Sequence, residues 1–145
     1  MRLRPAERLV IDASVAVKWV VPEPGSGHAE ILIDHGLVAP DLIYAECANV
    51  FWKKVRRGEM TEEEAEIAAQ TLGQADIAVA STRGHLALAT AIAIELDHPA
   101  HDAVYLAVAE ASDLRLVTAD DRLIRKIQDS QNRFRQRLVA LSEIA

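Results

Sequence analysis

Four acidic residues stand at positions that could place them around one site. They are Asp12, Glu46, Asp102 and Asp120. Carboxylate oxygens are the ligands that Mg²⁺ and Mn²⁺ prefer in proteins. A cluster of acids is also electrostatically unfavourable when no cation is near it. If the fold brings these four side chains together, the chemistry they could supply is the binding of a divalent metal ion.

Three of these acids also have an ordinary structural explanation. Asp12 follows the apolar run "LVI", and either Asp12 or Ser14 could cap the next helix by accepting from its free N–H groups. Asp102 and Asp120 stand near predicted helix starts, where an Asp caps the helix and interacts favourably with its dipole. Asp121 could replace Asp120 as the cap or act as an outer metal ligand. For each of these residues alone, the sequence does not decide between a helix cap and a metal ligand.

Glu46 is the most informative of the four acids. It lies on a predicted helix at 41–57, where Leu42 and Val50 stand four residues before and after it. No Lys or Arg stands three or four residues from it, so a helical ion pair is not available. Glu is mostly exposed in proteins, and a surface position remains the alternative. A Glu that faces the core instead needs a partner from elsewhere in the fold, and a metal cation is a common one.

The elements that would position these acids alternate along the chain. Predicted strands cover 8–12, 37–39, 75–80, 114–119 and 136–141. Predicted helices cover 14–21, 26–35, 41–57, 61–72, 82–97, 101–112 and 120–130, the fourth opening with a Thr61–Glu64 capping box. This order predicts an α/β single domain over 1–145 with three α/β/α layers and a mostly parallel central sheet. Sites in such sheets form beyond the carboxyl ends of the strands, where Asp12 and Asp120 stand.

The composition limits the kinds of site and the cellular location that we expect, but it does not select one function. The formal net charge of −6 argues against binding of nucleic acid, since such proteins usually carry a basic surface. If the four acids and Asp121 share a metal site, the rest of the chain has a net charge of only −1, so the net charge decides little. The single Cys47 excludes an internal disulfide and a Cys-based zinc site. It is compatible with a reducing compartment. No export signal is visible, and the apolar run at 86–96 is too short to span a bilayer. We therefore expect a soluble, cytoplasmic protein.

Four segments occur in an order that is typical of a known family. They are "VIDASVAVKWVVPE", "PDLIYAECANVFWK", "HDAVYLAVAE" and "LVTADDRLI". Together they resemble the PIN-domain nucleases, and most closely the VapC-type toxins of type II toxin–antitoxin pairs. The resemblance covers residues 9–125, and the strand at 136–141 would complete the fold.

The resemblance carries expectations about the site and its chemistry. It implies that Asp12, Glu46, Asp102 and Asp120 are metal-binding positions, accompanied by the hydroxyls of Ser14 and Thr118 and, less regularly, by Asp121. It implies a Mg²⁺- or Mn²⁺-dependent endoribonuclease that cleaves RNA with a metal-activated water. Glu46 would either bind the metal or orient that water. It also implies a homodimer and a small antitoxin whose tail enters the acidic groove.

Several basic residues are weaker candidates for contact with RNA phosphates. Lys18 lies nearest the first motif. The predicted Glu46 helix carries Lys53, Lys54 and Arg57, and the helix after Asp120 carries Arg122, Arg125 and Lys126. Their alternative is a solvated helix end that is favourable to the helix dipole. His98 and His101 are three residues apart, but no further His or Cys lies close by, so zinc is disfavoured.

Other classes of function remain open. A Mg²⁺-dependent phosphohydrolase of the haloacid dehalogenase type would need a second Asp where Ser14 stands, and a receiver domain would need an acidic pair at the first strand. A catalytically idle PIN-like subunit that only binds or regulates is a further alternative. Metal-dependent ribonuclease activity that is lost in EDTA would distinguish the enzyme from the idle subunit.

Overall fold

The computed structural model describes residues 2–144 and places a five-stranded parallel sheet at the centre. Its strands are β1 (Leu9–Ile11), β2 (Leu37–Pro40), β3 (Ile77–Ala80), β4 (Arg115–Thr118) and β5 (Leu138–Ala140). Their order in the sheet is β3-β2-β1-β4-β5, and every neighbouring pair is parallel. The predicted α/β class is confirmed. β1 and β2 are apolar throughout, and β4 is apolar between Arg115 and Thr118, because helices cover both faces of a parallel sheet.

Seven α-helices connect the strands. They are α1 (Ala13–Ala16), α2 (Ser26–Ile31), α3 (Leu42–Arg56), α4 (Glu62–Gly73), α5 (Leu86–Leu96), α6 (Ala100–Ser112) and α7 (Asp121–Gln128). The capping box predicted at Thr61 and Glu64 is present. The helices predicted at 14–21 and 26–35 are shorter than expected, because each tightens into a 3₁₀ turn, at Val17–Trp19 and Leu32–Asp34. Within residues 2–144, no helix has both the length and the apolar character needed to cross a bilayer.

Helix α6 is the element that organises the core. It packs against the central strands β1, β2 and β4, and α5 packs along it. Residues 102–109 of α6 are buried as a continuous run, so the helix is enclosed on nearly all sides. The run includes Asp102 and Tyr105, which are polar residues on an otherwise apolar element. The fold therefore holds these two side chains rigidly beside the sheet.

The sheet register brings the ends of β1 and β4 side by side. Ile11 pairs with Val117, so the next residues along each strand, Asp12 and Thr118, lie at the same carboxyl edge. Parallel α/β sheets form their sites at this edge. The sequence-based expectation that Asp12 and Asp120 face one side of the sheet follows directly from this pairing.

Candidate active site

Asp12 is a buried carboxylate held by three donors. It is the N-cap of α1, and its Oδ1 accepts from the Val15 N–H at 3.4 Å. Ser14 Oγ donates to Oδ1 at 2.5 Å, and Thr118 Oγ1 donates to Oδ2. The side chain belongs to a residue that is only 6% exposed. Asp12 thus both caps a helix and lies in the site, so the two alternatives were not exclusive.

The pKa of Asp12 is raised to about 7. Burial is the largest cause, because removing water disfavours the ionised carboxylate. The negative charges of Asp102 and Asp120 raise the pKa further, while the hydroxyls of Ser14 and Thr118 lower it. The ionised form of Asp12 is therefore held at a cost that a nearby cation would relieve.

Ser14 and Thr118 join Asp12 to the end of β4. Ser14 Oγ accepts from the Ala119 N–H at 2.9 Å, and Thr118 Oγ1 accepts from the Asp120 N–H at 3.0 Å. Each hydroxyl therefore donates to Asp12 and accepts from the chain that leads into α7. Ser14 does not cap α1, since its hydroxyl is used across the sheet. These contacts fix the distance between the segments that carry Asp12 and Asp120.

Glu46 has a partner from elsewhere in the fold, as its position on α3 suggested. The Tyr105 hydroxyl of α6 donates to Glu46 Oε1. Burial raises the pKa of Glu46, and the Tyr105 bond and the nearby His101 oppose that rise. The partner is a neutral hydroxyl, so a cation is not needed to explain the position of Glu46. Tyr105 instead fixes one oxygen of this carboxylate at the edge of the site.

Asp102 is held by a hydrogen bond with His98, and His101 lies near it. His98 Nε2 lies 2.6 Å from Asp102 Oδ2 and acts as the donor, since a carboxylate only accepts. His101 Nε2 lies 3.6 Å from Oδ1. Asp102 stands in the first turn of α6, but no side chain caps this helix. The capping explanation considered for Asp102 is therefore wrong, and the carboxylate is oriented by side chains.

Asp120 is both a helix cap and part of the site. Its carboxylate accepts from the N–H groups of Arg122 at 2.9 Å and Leu123 at 3.3 Å, at the start of α7. Asp121 is exposed and does not line the cavity described below. Among residues 2–144, the Asp121 side chain forms no hydrogen bond or ion pair that would support its predicted role beside the metal ligands.

The four predicted acids line one cavity of about 470 Å³, which we call the acidic cavity. Its polar lining consists of Asp12, Ser14, Glu46, Asn49, Lys53, His101, Asp102, Tyr105 and Asp120. Lys53 is the one lysine or arginine among these lining residues. Segments that are far apart in the chain therefore supply a concentrated negative charge at the carboxyl edge of the sheet.

The acidic cavity fits a hard divalent cation by the chemistry of its donors. Among residues 2–144, no three His, Cys, Asp or Glu side chains form a ready-made metal cage. Mg²⁺ does not require one, because it commonly binds through one or two carboxylates and keeps several waters. The oxygen donors, and the raised pKa of the buried Asp12 among other acids, are what such an ion would favour.

The predicted basic residues are placed unequally. Only Lys53 lines the acidic cavity, and Arg57 is exposed at the end of α3. Lys18 Nζ lies 3.0 Å from Glu23 Oε1, and Lys54 Nζ lies 3.1 Å from Glu23 Oε2. Both lysines are thus engaged in ion pairs that hold the loop after α1 against α3. The structure does not bring Lys18, Lys54 or Arg57 into the cavity.

Two site residues were not predicted from the sequence as partners of the acids. Tyr105 stands three residues after Asp102, which places both on one side of α6. His98 stands four residues before Asp102 and was considered only as a zinc ligand. The three-residue spacing of Tyr105 from Asp102 was the sequence signal that could have placed Tyr105 near the acids. The apolar residues around Tyr105 made a core position the more obvious interpretation.

The parallel sheet and the acid-lined cavity together define an α/β domain with carboxylates gathered at the edge of the sheet where such folds form their sites. The model of the PIN domain family matches residues 9–129. Ribonuclease VapC3 of Pyrobaculum aerophilum is 35% identical over 123 residues, which cover 82% of this chain and 94% of that protein.

Three solved structures share the fold. A crystal structure from Pyrobaculum aerophilum has a TM-score of 0.68 at 23% identity, covering 94% of this chain and 91% of that one. VapC20 of Mycobacterium tuberculosis, a sarcin-ricin loop cleaving toxin, has a TM-score of 0.61 at 16% identity, covering 78% and 90%. A toxin–antitoxin complex from Klebsiella pneumoniae has a TM-score of 0.57 at 15% identity, covering 86% and 96%. The chain belongs to the PIN-domain family and is related to the VapC ribonucleases.

Proposed function

We propose that this protein is a metal-dependent endoribonuclease and the toxin of a type II toxin–antitoxin pair. The observation that carries the proposal is the acidic cavity, in which Asp12, Glu46, Asp102 and Asp120 meet. The identity with Ribonuclease VapC3 supports RNA as the substrate class. A phosphohydrolase of the haloacid dehalogenase type is not supported, because Ser14, not a second acid, follows Asp12 and binds it.

The four acids would have two roles in the cavity, namely binding the metal ion and orienting the attacking water. A divalent cation, preferably Mg²⁺ with Mn²⁺ as a substitute, supplies a bound water of lowered pKa and neutralises charge on the scissile phosphate. Asp12, Asp102 and Asp120 would hold it, since all three are anchored by donors on the protein. Glu46, with one oxygen fixed by Tyr105, would bind the ion or orient the attacking water.

The remaining polar groups would keep this arrangement in place. Ser14 and Thr118 donate to both oxygens of Asp12 and prevent it from turning away as the charge in the cavity changes. Lys53 lines the cavity and would contact a phosphate that enters it. Such contacts with outer groups commonly change metal affinity or activity about 10–100-fold.

A cleavage assay with purified protein tests this proposal against a catalytically idle subunit. We expect single cuts in RNA when Mg²⁺ or Mn²⁺ is present and no cleavage in EDTA. Sequencing of RNA 5′ ends after induced expression would identify the RNA and the position that is cut. An absence of cleavage of total cellular RNA under all metal conditions would favour the idle subunit.

We also propose an antitoxin partner whose chain carries a basic segment. The acidic cavity offers four carboxylates to such a segment, and a structural neighbour is a toxin–antitoxin complex. Titration with the cognate antitoxin should abolish cleavage. A Glu46→Gln variant should bind the antitoxin more weakly, whereas an Asp121→Asn variant, changed outside the cavity, should bind as the wild type does. Equal affinities would argue that the antitoxin binds elsewhere.

A homodimer is the assembly we propose. Val79 on the edge strand β3 and Leu86 and Ile94 on α5 are large apolar side chains that remain exposed. Burial of such side chains would contribute to a dimer, although a stable interface needs about 800 Å² from each partner. Light scattering should give twice the mass of the chain. The Ile94→Glu variant should lower that mass if this surface is the interface.

A further inference from the structure

A second cavity lies beside the acidic cavity. It has a volume of about 730 Å³ and is formed by the turn between α5 and α6, by α7 and by the segment after α7. We call it the α7 cavity, and its lining includes His98, Arg122, Arg125, Lys126, Asp129 and Asn132.

One hydrogen bond separates the two cavities. His98 lines the α7 cavity and Asp102 lines the acidic cavity, and His98 Nε2 lies 2.6 Å from Asp102 Oδ2. Helix α7 also faces both, because its cap Asp120 lines the acidic cavity and its basic residues line the other. A chain that passes over the His98–Asp102 pair would therefore contact both cavities.

The α7 cavity has more cations and fewer acids in its lining than the acidic cavity. Among residues 2–144, Arg122, Arg125 and Lys126 form no ion pair. Three acids also line the cavity, namely Glu95, Asp97 and Asp129. Arg133 Nε lies 3.1 Å from Glu95 Oε2, but Arg133 also pairs with Glu110 and neutralises Glu95 only in part. Three cations thus face three acids in the α7 cavity, whereas the acidic cavity has four acids and one lysine.

The three cations are held on one side of a well-anchored helix. Leu123 and Ile127 of α7 are buried in the core. The opposite side of the helix therefore faces the solvent. Arg122, Arg125 and Lys126 are three and four residues apart, so they are neighbours on the helix surface. They form a short row of positive charge that begins next to Asp120.

We propose that the α7 cavity binds the RNA backbone immediately beside the scissile phosphate. Arg122, Arg125 and Lys126 contact the flanking phosphates while the scissile phosphate lies in the acidic cavity. This inference rests on the proposed ribonuclease function. A polyanion is repelled by the four acids except where a cation screens them, so it needs a positive surface adjacent to the site. The row of cations on α7 is such a surface, and it begins next to Asp120, which lines the acidic cavity.

The test compares two double variants with the same change in charge. Arg125→Gln/Lys126→Gln removes two cations of the α7 cavity, and Arg8→Gln/Arg135→Gln removes two exposed cations that line neither of the two cavities. Steady-state cleavage is measured on a long RNA that carries the cut site. It is also measured on a short oligonucleotide that has the scissile phosphate but lacks the flanking phosphates. Thermal unfolding confirms that each variant folds.

We expect the α7 variant to raise KM for the long RNA about tenfold with little change in kcat, because phosphate contacts contribute to binding. The dependence of log affinity on log salt should fall by about 0.7 for each lost contact with a single strand. Cleavage of the short oligonucleotide, and all values for the control variant, should stay close to wild type.

Other outcomes would overturn the inference. Equal KM values for the two double variants would show that the α7 cavity does not bind RNA, while wild-type cleavage would leave the proposed function standing. An α7 variant that loses affinity for the antitoxin but keeps its KM would assign this surface to the protein partner instead. A wild-type protein that cleaves no RNA would overturn both the inference and the proposed function.

Discussion

Replacing Asp12 with Asn should stabilise the metal-free protein at neutral and alkaline pH. Asp12 is buried, and its pKa is raised from 3.8 to about 7, first by burial and then by Asp102 and Asp120. At 1.36 kcal/mol for each pKa unit, the ionised carboxylate costs the folded state about 4 kcal/mol above this pKa. Below about pH 4 the carboxyl is protonated in the folded and unfolded states alike, and the cost disappears.

The amide keeps the shape of the carboxylate but not all of its bonds. Ser14 and Thr118 donate to the two oxygens of Asp12, and an amide nitrogen cannot accept from either. One hydroxyl must therefore rotate, which costs about 1 kcal/mol. The net gain in the free energy of unfolding is about 3 kcal/mol at about pH 8. It shrinks as the pH falls, and below about pH 4, where only the cost of the rotated hydroxyl remains, the variant is about 1 kcal/mol less stable than the wild type.

Urea unfolding in EDTA, followed by circular dichroism across this pH range, measures the effect. The wild type should lose stability relative to the Asp12→Asn variant as the pH rises from about 4 to about 7, because its folded state releases the proton later than its unfolded state. Adding Mg²⁺ should restore much of the wild-type loss and leave the variant little changed. The Asp121→Asn control, which alters an exposed acid, should show neither effect. A stability difference between Asp12→Asn and wild type that is the same at both ends of the range would refute this reasoning.

Three further predictions concern other parts of the fold. Tyr105→Phe removes the donor to Glu46 and should weaken Mg²⁺ affinity or RNA cleavage about 10–100-fold, as measured by metal titration and by activity. Leu106→Ala opens a cavity at a residue with no exposed surface and should lower the free energy of unfolding by about 2–5 kcal/mol in urea. The pKa of Glu7 is lowered to about 2, chiefly by its hydrogen bond with Arg115 and also by hydrogen bonds from Arg4. This stabilises the wild type above about pH 4.5, and the stabilisation is lost toward pH 2. Arg115→Gln should make this loss smaller in acid titrations, because only the bonds from Arg4 remain.

Much of the fold follows from local sequence signals. The apolar runs around β1 and β4, each followed by an acid and then a helix, predict parallel strands whose ends carry Asp12 and Asp120. The capping box at Thr61 and Glu64 likewise marks the start of α4. Such signals are local because backbone geometry and capping involve neighbouring residues. They are therefore readable without knowledge of the tertiary structure.

The partners of the acids were not predictable in the same way. The Tyr105–Glu46 bond joins residues 59 positions apart, and the Thr118–Asp12 bond joins residues 106 positions apart. Such contacts depend on how α6 packs on the sheet and on strand register, which no spacing rule describes. The engagement of Lys18 with Glu23 is likewise a property of the loop after α1, not of helical periodicity.

The most direct test of the central claim is RNA cleavage by purified wild type, Asp12→Asn and Asp121→Asn proteins in Mg²⁺ and in EDTA. Asp12 lies in the acidic cavity and Asp121 lies outside it, although each substitution removes one negative charge. We expect Mg²⁺-dependent cleavage by wild type and Asp121→Asn, and none by Asp12→Asn although that variant is folded. Full cleavage by Asp12→Asn, or wild-type cleavage that persists in EDTA, would contradict this expectation.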